Sequence, residues 1–176
     1  RGSWLKLTVE PFPRLALVKR VADDGATYLG PFGSTRAAQS AMAALHEAIP
    51  LRQCTQRITP SRPSPACVLA GMGRCAAPCE GDMSREDYAP TADSARALML
   101  GDALPLLDAT RRRMASLSAQ ERFEEASAYR DRATTFVRTA TRMHLVASLA
   151  ECAEIVAAKP GFAGGCKVVV IRHGRL

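Results

Sequence analysis

The chain has 176 residues, 47% of them apolar but only 5% aromatic, with 24 Lys and Arg against 17 Asp and Glu for a net charge of +7. That length suits one domain or two small ones, and an apolar fraction dominated by Ala and Leu favours helix over strand. The longest apolar runs, such as "HLVASLA", fall far short of the roughly 20 residues of a membrane span, and no signal-peptide pattern opens the chain. A cytoplasmic protein with no membrane partner is expected. The positive balance favours anionic partners such as nucleic acid.

In chain order, residues 4–9 alternate or run apolar, and "RLALVKRV" reads as a strand closed by the turn Asp23-Asp24-Gly25 before "ATYLGPF", together a small hairpin. Gly33-Ser34-Thr35 opens an Ala-rich helix that Pro50 stops. Residues 51–83 are too rich in Pro and Gly for regular structure, and so long a loop in a compact domain calls for something else to order it. Ser84 and Asp87 form a capping signal for a helix to about Leu100, and Gly101 breaks it. A helix from Asp102 to Leu117 presents Leu104, Leu107, Met114 and Leu117. Another begins near Gln120 with Phe123, Ala126, Tyr129, Ala133, Phe136 and Ala140 on one side, giving an antiparallel helical hairpin. "HLVASLAECAEIVAAK" extends that helix or forms another, and "CKVVVIR" is a strand without an evident partner. The expected fold is therefore mainly α: a helical hairpin and a metal-ordered irregular loop, with a small terminal β hairpin or strand. Four segments are expected, at 1–33, 34–100, 101–145 and 146–176.

Four of the six cysteines, Cys54, Cys67, Cys75 and Cys79, fall in the irregular loop with the spacing C-x12-C-x7-C-x3-C. In a reducing compartment such clusters serve as metal ligands rather than disulfides. Four thiolates can close the tetrahedron of a zinc ion or supply one ligand to each iron of a 4Fe-4S cube. Only Cys75 and Cys79 are close, unlike the two tight pairs usual for structural zinc. Cys152, in a helical stretch, and Cys166, in a Gly-rich turn, read as non-ligand thiols.

The runs "YLGPFGSTRAAQSAMAALHEAIPLRQC", "ACVLAGMGRCAAPCEGDMSREDY" and "RFEEASAYRDR" resemble, in order, the middle of UvrC, the nuclease subunit of bacterial nucleotide-excision repair, and its shorter Cho-type relatives. The resemblance covers about residues 12–140. It implies a 4Fe-4S cluster on Cys54, Cys67, Cys75 and Cys79, with zinc as the alternative. It also implies a UVR-like hairpin, at which Phe123, Glu124, Ala126, Arg130 and Asp131 match positions that dock a UvrB-like partner; Ser127 departs from the pattern, and Cho-type proteins commonly do without that docking. The GIY-YIG core with which the family cuts DNA has no counterpart here, and the closing "VVVIRHGRL" resembles the tail of proteins that fuse a DEDDh exonuclease to a Cho-like block.

The expected function is thus an iron-sulfur-bearing DNA-binding and scaffold module of a UvrC/Cho-like repair endonuclease, with no catalytic residue of its own. The alternatives are a UvrB-type docking module and a zinc-stabilised structural domain. Arg52, Arg57, Arg62 and Arg74 surround the cysteines and would form a basic patch for phosphates; the competing role is to solubilise the loop or hydrogen-bond cluster sulfurs and backbone carbonyls. Arg111-Arg112-Arg113 read as a solvated helix face. His46, His144 and His173 share no spacing that suggests a site and read as packing or surface residues.

Overall fold

Ser3, Leu5 and Leu7 alternate with half-buried neighbours along strand β1 (Ser3–Leu7), the period-2 pattern of a strand with one face on a core. In the computed structural model, which describes residues 2–59, 62–161 and 164–172, β1 is the centre of a three-stranded antiparallel sheet. Strand β2 (Leu15–Val18) pairs on one side, with Leu5 opposite Leu17, and β3 (Thr27–Phe32) on the other, with Leu5 opposite Leu29. The strands flanking the Asp-Asp-Gly turn therefore do not pair with each other, as the expected hairpin would require; β1 lies between them. The turn is nonetheless organised by Asp24, which accepts from the Ala26 N–H at 3.2 Å and the Tyr28 hydroxyl at 2.9 Å and pairs with Lys6. At Gly30 the backbone has φ +151°, and a Cβ there would lie 2.9 Å from the Trp4 ring, so only glycine fits.

Helix α1 (Thr35–Ala48) starts on Ser34, whose hydroxyl accepts from the Ala37 N–H at 3.1 Å, and ends at Ile49, one residue before Pro50. It lays Ala38, Ala41, Ala44 and Leu45 against the sheet, closing a core with Leu5, Leu7, Phe12, Leu15, Leu29 and Phe32. The cysteine segment follows, with only one turn of helix, α2 (Val68–Gly71), and a 3-10 turn at Pro78–Glu80. Helix α3 (Arg85–Met99) carries the expected Ser84–Asp87 capping box and buries Tyr88, Ala92, Ala95, Leu98 and Met99.

Helices α4 (Leu104–Ala119) and α5 (Phe123–Glu151) form the helical hairpin. The inward face of α4 is not the expected one: Leu106 and Leu117 are fully buried, whereas Leu104 is 72% and Leu107 43% exposed. On α5 the reading holds for Ala126, Ala133, Phe136 and Ala140, but Phe123 is 63% exposed at the tip.

Contacts divide the chain into two compact units, Arg1–Ala140 and Thr141–Leu176. In the second, β4 (Glu154–Pro160) pairs antiparallel along its whole length with β5 (Cys166–Arg172), from Glu154 opposite Arg172 to Pro160 opposite Cys166. The partner of the "CKVVVIR" strand is thus the segment just before it, which its alanines made look helical. With five strands in two sheets among the described residues, the fold class is mixed α/β, and the expectation of a mainly α protein is overturned. Propensity favoured helix, but strand pairing around β1 and between β4 and β5 satisfies backbone groups that isolated propensity does not weigh.

Candidate metal centre

Arg52 sets the position of the cysteine segment. Among the described residues it heads the largest fully buried side chains, only 1% exposed, and its guanidinium is a hub between the segment and the link from β1 to β2. Nε donates to the Phe12 carbonyl at 2.6 Å, Nη1 to the carbonyls of Cys54 at 3.1 Å and Gln56 at 3.0 Å, and Nη2 to the Glu10 carboxylate at 2.6 Å. Nη1 also lies 3.7 Å from the Cys54 sulfur. A planar five-donor fork can serve four acceptors from two chain segments at once, which a lysine cannot. The Arg52 backbone N–H donates to the Tyr88 hydroxyl at 2.9 Å, and that hydroxyl donates to the Pro13 carbonyl at 2.9 Å. Burial, opposed by the hydrogen bond from the Arg52 N–H, pushes the Tyr88 phenol up to about 12, so it stays a donor.

Further ties close the loop on itself. The Ala76 N–H donates to the Pro50 carbonyl and the Ser64 N–H to the Cys79 carbonyl, both at 2.8 Å. Ala77 adopts a left-handed conformation, φ +53°, uncommon for a residue with a Cβ, and its N–H donates to the Cys75 sulfur at 3.4 Å.

The result brings all four cysteines of the irregular loop to one cavity of about 210 Å³. Cys54, Cys67, Cys75 and Cys79 share its wall with apolar Ile58, Leu69 and Pro78. Cys67 is exposed and the other three are half-buried. Burial pushes the Cys75 thiol up, the Ala77 N–H opposes that rise, and the charges of Cys67, Cys54 and Cys79 add to it. The other three sulfurs therefore lie within electrostatic reach of Cys75. Among the described residues no three Cys, His, Asp or Glu side chains converge on the point a single ion would occupy. Gln53 lines the same cavity, and its buried amide nitrogen has no hydrogen-bond partner among the described residues. Cys152 and Cys166 lie in the other unit and are exposed.

The expected basic patch separates into two kinds of residue. Arg57 and Arg62 are exposed and Arg74 is half-buried, but Arg52 faces inward with its donors taken, so it is a structural strut and not a phosphate contact. Sequence reasoning missed Glu10, Tyr88 and Gln53; of these only Gln53, one residue from Cys54, stood near a visible motif. His46 is buried with its Nδ1 unpartnered, and burial, with the Arg74 charge, lowers its pKa to about 4, in keeping with a packing role. His144 is exposed on α5, and His173 lies outside the described residues. At the hairpin, Glu124, Arg130 and Asp131 are exposed near Phe123, while Ala126 is buried.

Four cysteines gathered at one cavity, tied through Arg52 to the link between β1 and β2, define the module's candidate site. Comparison places it: residues 3–98 match the UvrC/Cho excinuclease, middle domain, family, and the chain belongs to that family. It is 34% identical to UvrABC system protein C of Geobacter metallireducens over 95% of this chain and 27% of that protein. It is 35% identical to UvrABC system protein C of Syntrophotalea carbinolica over 82% of this chain and 24% of that protein. A Mycobacterium tuberculosis protein named as a bifunctional exonuclease/endonuclease is 34% identical over 100% of this chain and 27% of its own length. The chain thus spans about a quarter of the length of the curated relatives it matches. No solved structure matches it significantly.

Proposed function

We propose that residues 1–140 are the cluster-bearing DNA-binding and scaffold module of a UvrC/Cho-like repair nuclease, holding a 4Fe-4S cluster on Cys54, Cys67, Cys75 and Cys79, while cutting is done by other parts of the parent protein. The observation that carries this is the shared cavity of the four thiols. Sulfurs spread around a cavity suit a cube whose irons each take one thiolate better than one tetrahedral zinc ion. The donor set fits the group further: the Ala77 N–H and Arg52 Nη1 already point at ligand sulfurs, and the orphaned Gln53 amide would find an acceptor in an inorganic sulfide.

When bound, the cluster supplies structural cross-linking, since binding realised only in the folded state is folding energy. The chain's own residues do the rest. Arg52 fixes Cys54 to the sheet, Tyr88 fixes Arg52, and Arg57 and Arg62 remain exposed for sequence-independent phosphate contact, as repair of arbitrary sequence requires. A cytoplasmic setting follows from that role.

A second reading, docking of a UvrB-like partner, is favoured by one feature. An apolar groove of about 370 Å³ runs between α4 and α5, lined by Leu107, Met114, Ala133 and Val137, with Phe123 exposed at the same hairpin's tip. The test of the main reading is electrophoretic titration of a DNA duplex with the anaerobically prepared chain before and after iron chelation. Affinity that falls with chelation supports the proposal; a chain that binds no DNA in either state rejects it.

A further inference from the structure

A cleft of about 290 Å³ lies where the C-terminal end of α1, the Met72–Arg74 turn of the cysteine segment and the facing sides of α4 and α5 meet. Its wall carries Glu47, Met72, Arg74, Thr110, Arg113 and Tyr129. Tyr129 organises the cations: the Arg113 guanidinium sits 5.6 Å from its ring centroid and that of Arg132 5.1 Å away. Such contacts hold a flexible guanidinium in place without using its hydrogen-bond donors. Glu47, the carboxylate on the wall, is already answered by Arg132. Among the described residues no carboxylate lies within ion-pair distance of Arg74 or Arg113. Two guanidiniums from different elements thus line one solvent-open cleft, neither in an ion pair among the described residues, together with Thr110.

From this geometry we infer that the cleft is a seat for one phosphodiester of a DNA backbone, gripped by Arg74 and Arg113, with Tyr129 as the positioning residue for Arg113. Two forked donors lining one cleft from different elements match the two free oxygens of a phosphodiester. A cleft this small admits a backbone segment and no duplex groove, so the contact reads no sequence. The inference rests on the DNA-binding reading and gives it a location that the exposed loop arginines do not: the seam between the cysteine segment and the hairpin.

The test is fluorescence-anisotropy titration of two unrelated 20-mer duplexes with the whole chain over a salt series, comparing wild type with Arg113→Ala, Arg74→Ala, Tyr129→Phe, Tyr129→Leu and Arg112→Ala, a control at an exposed position outside the cleft. The single cleft arginine variants lose affinity about tenfold, as for one charge-assisted contact. Their slope of log K against log salt falls by about 0.9, equally on both duplexes. A chain carrying Arg74→Ala and Arg113→Ala together, titrated alongside, loses less than the product of the two, since both grip one group. Tyr129→Phe keeps wild-type binding, Tyr129→Leu resembles Arg113→Ala, and Arg112→Ala changes the slope little. If wild type binds DNA with a steep salt dependence that Arg74→Ala and Arg113→Ala leave unchanged, the seat is wrong and DNA binding stands. If wild type binds neither duplex, both fall.

Discussion

The Arg52 guanidinium bridges the Glu10 carboxylate, 2.6 Å away, to the Cys54 carbonyl, 3.1 Å away, and so ties the first cysteine of the quartet to the link between β1 and β2. Removing a buried charge that satisfies several acceptors strands them all. Arg52→Ala is expected to cost about 3 kcal/mol or more of unfolding free energy, and Arg52→Lys to recover only part, because one ammonium cannot replace a fork. Urea unfolding of the variants measures this. A change within about 0.5 kcal/mol in either variant contradicts the strut role.

Tyr88 supports the same hub. Tyr88→Phe keeps the edge-on packing against Phe12, centroids 5.5 Å apart, but leaves the Arg52 N–H and the Pro13 carbonyl without their partner. A loss of about 1 to 3 kcal/mol is expected, with cluster retention reduced in parallel.

How much of this was legible beforehand differs by feature. The quartet stood out because thiols concentrated in a Pro- and Gly-rich segment have no core to fill. The Ser34 and Ser84 caps stood out because capping is local chemistry. For Arg52 the competing role, hydrogen bonds to backbone carbonyls and a cysteine sulfur, is the one the fold gives it, and its partners Glu10, Phe12 and Tyr88 could not be foreseen because they are distant in sequence. The strand order was hidden for a similar reason: a turn signal marks where the chain reverses, and it does not say that β1 will occupy the space between β2 and β3. On α4, Leu104, Leu106 and Leu107 are close enough in sequence that apolarity alone could not tell which turned inward. Strand β4 was hidden by alanine, whose helical preference is overridden once β5 offers a full ladder.

His46 predicts a pH dependence. Its pKa is lowered to about 4 in the fold by burial first and the Arg74 charge second. The unfolded chain therefore takes up the proton first as pH falls, and stability declines from about pH 6.5 toward 4, by up to about 3 kcal/mol. Above pH 6.5 the effect vanishes. Urea melts of wild type and His46→Leu across this range should diverge, the variant having the flatter profile; parallel profiles refute the assignment.

Phe123→Ala should leave the melting temperature nearly unchanged, because the ring is 63% exposed. If the hairpin tip docks a UvrB-like protein, the same change weakens that association by about tenfold or more, the loss of an aromatic anchor. Co-purification with full affinity would remove Phe123 from the interface.

Among the thiols, Cys75→Ser is expected to abolish metal retention and unfold the cysteine segment, as removal of one ligand exposes the core and releases the loop. Cys152→Ser and Cys166→Ser should bind the same amount of metal as wild type. A Cys75→Ser protein with wild-type metal content and melting temperature contradicts the ligand set.

The most direct measurement is metal analysis together with a visible absorption spectrum of the chain purified without oxygen. About four irons and four acid-labile sulfides per chain, in a brown protein, are expected of a cube on Cys54, Cys67, Cys75 and Cys79. A colourless protein carrying one zinc ion, or no metal at all, contradicts it.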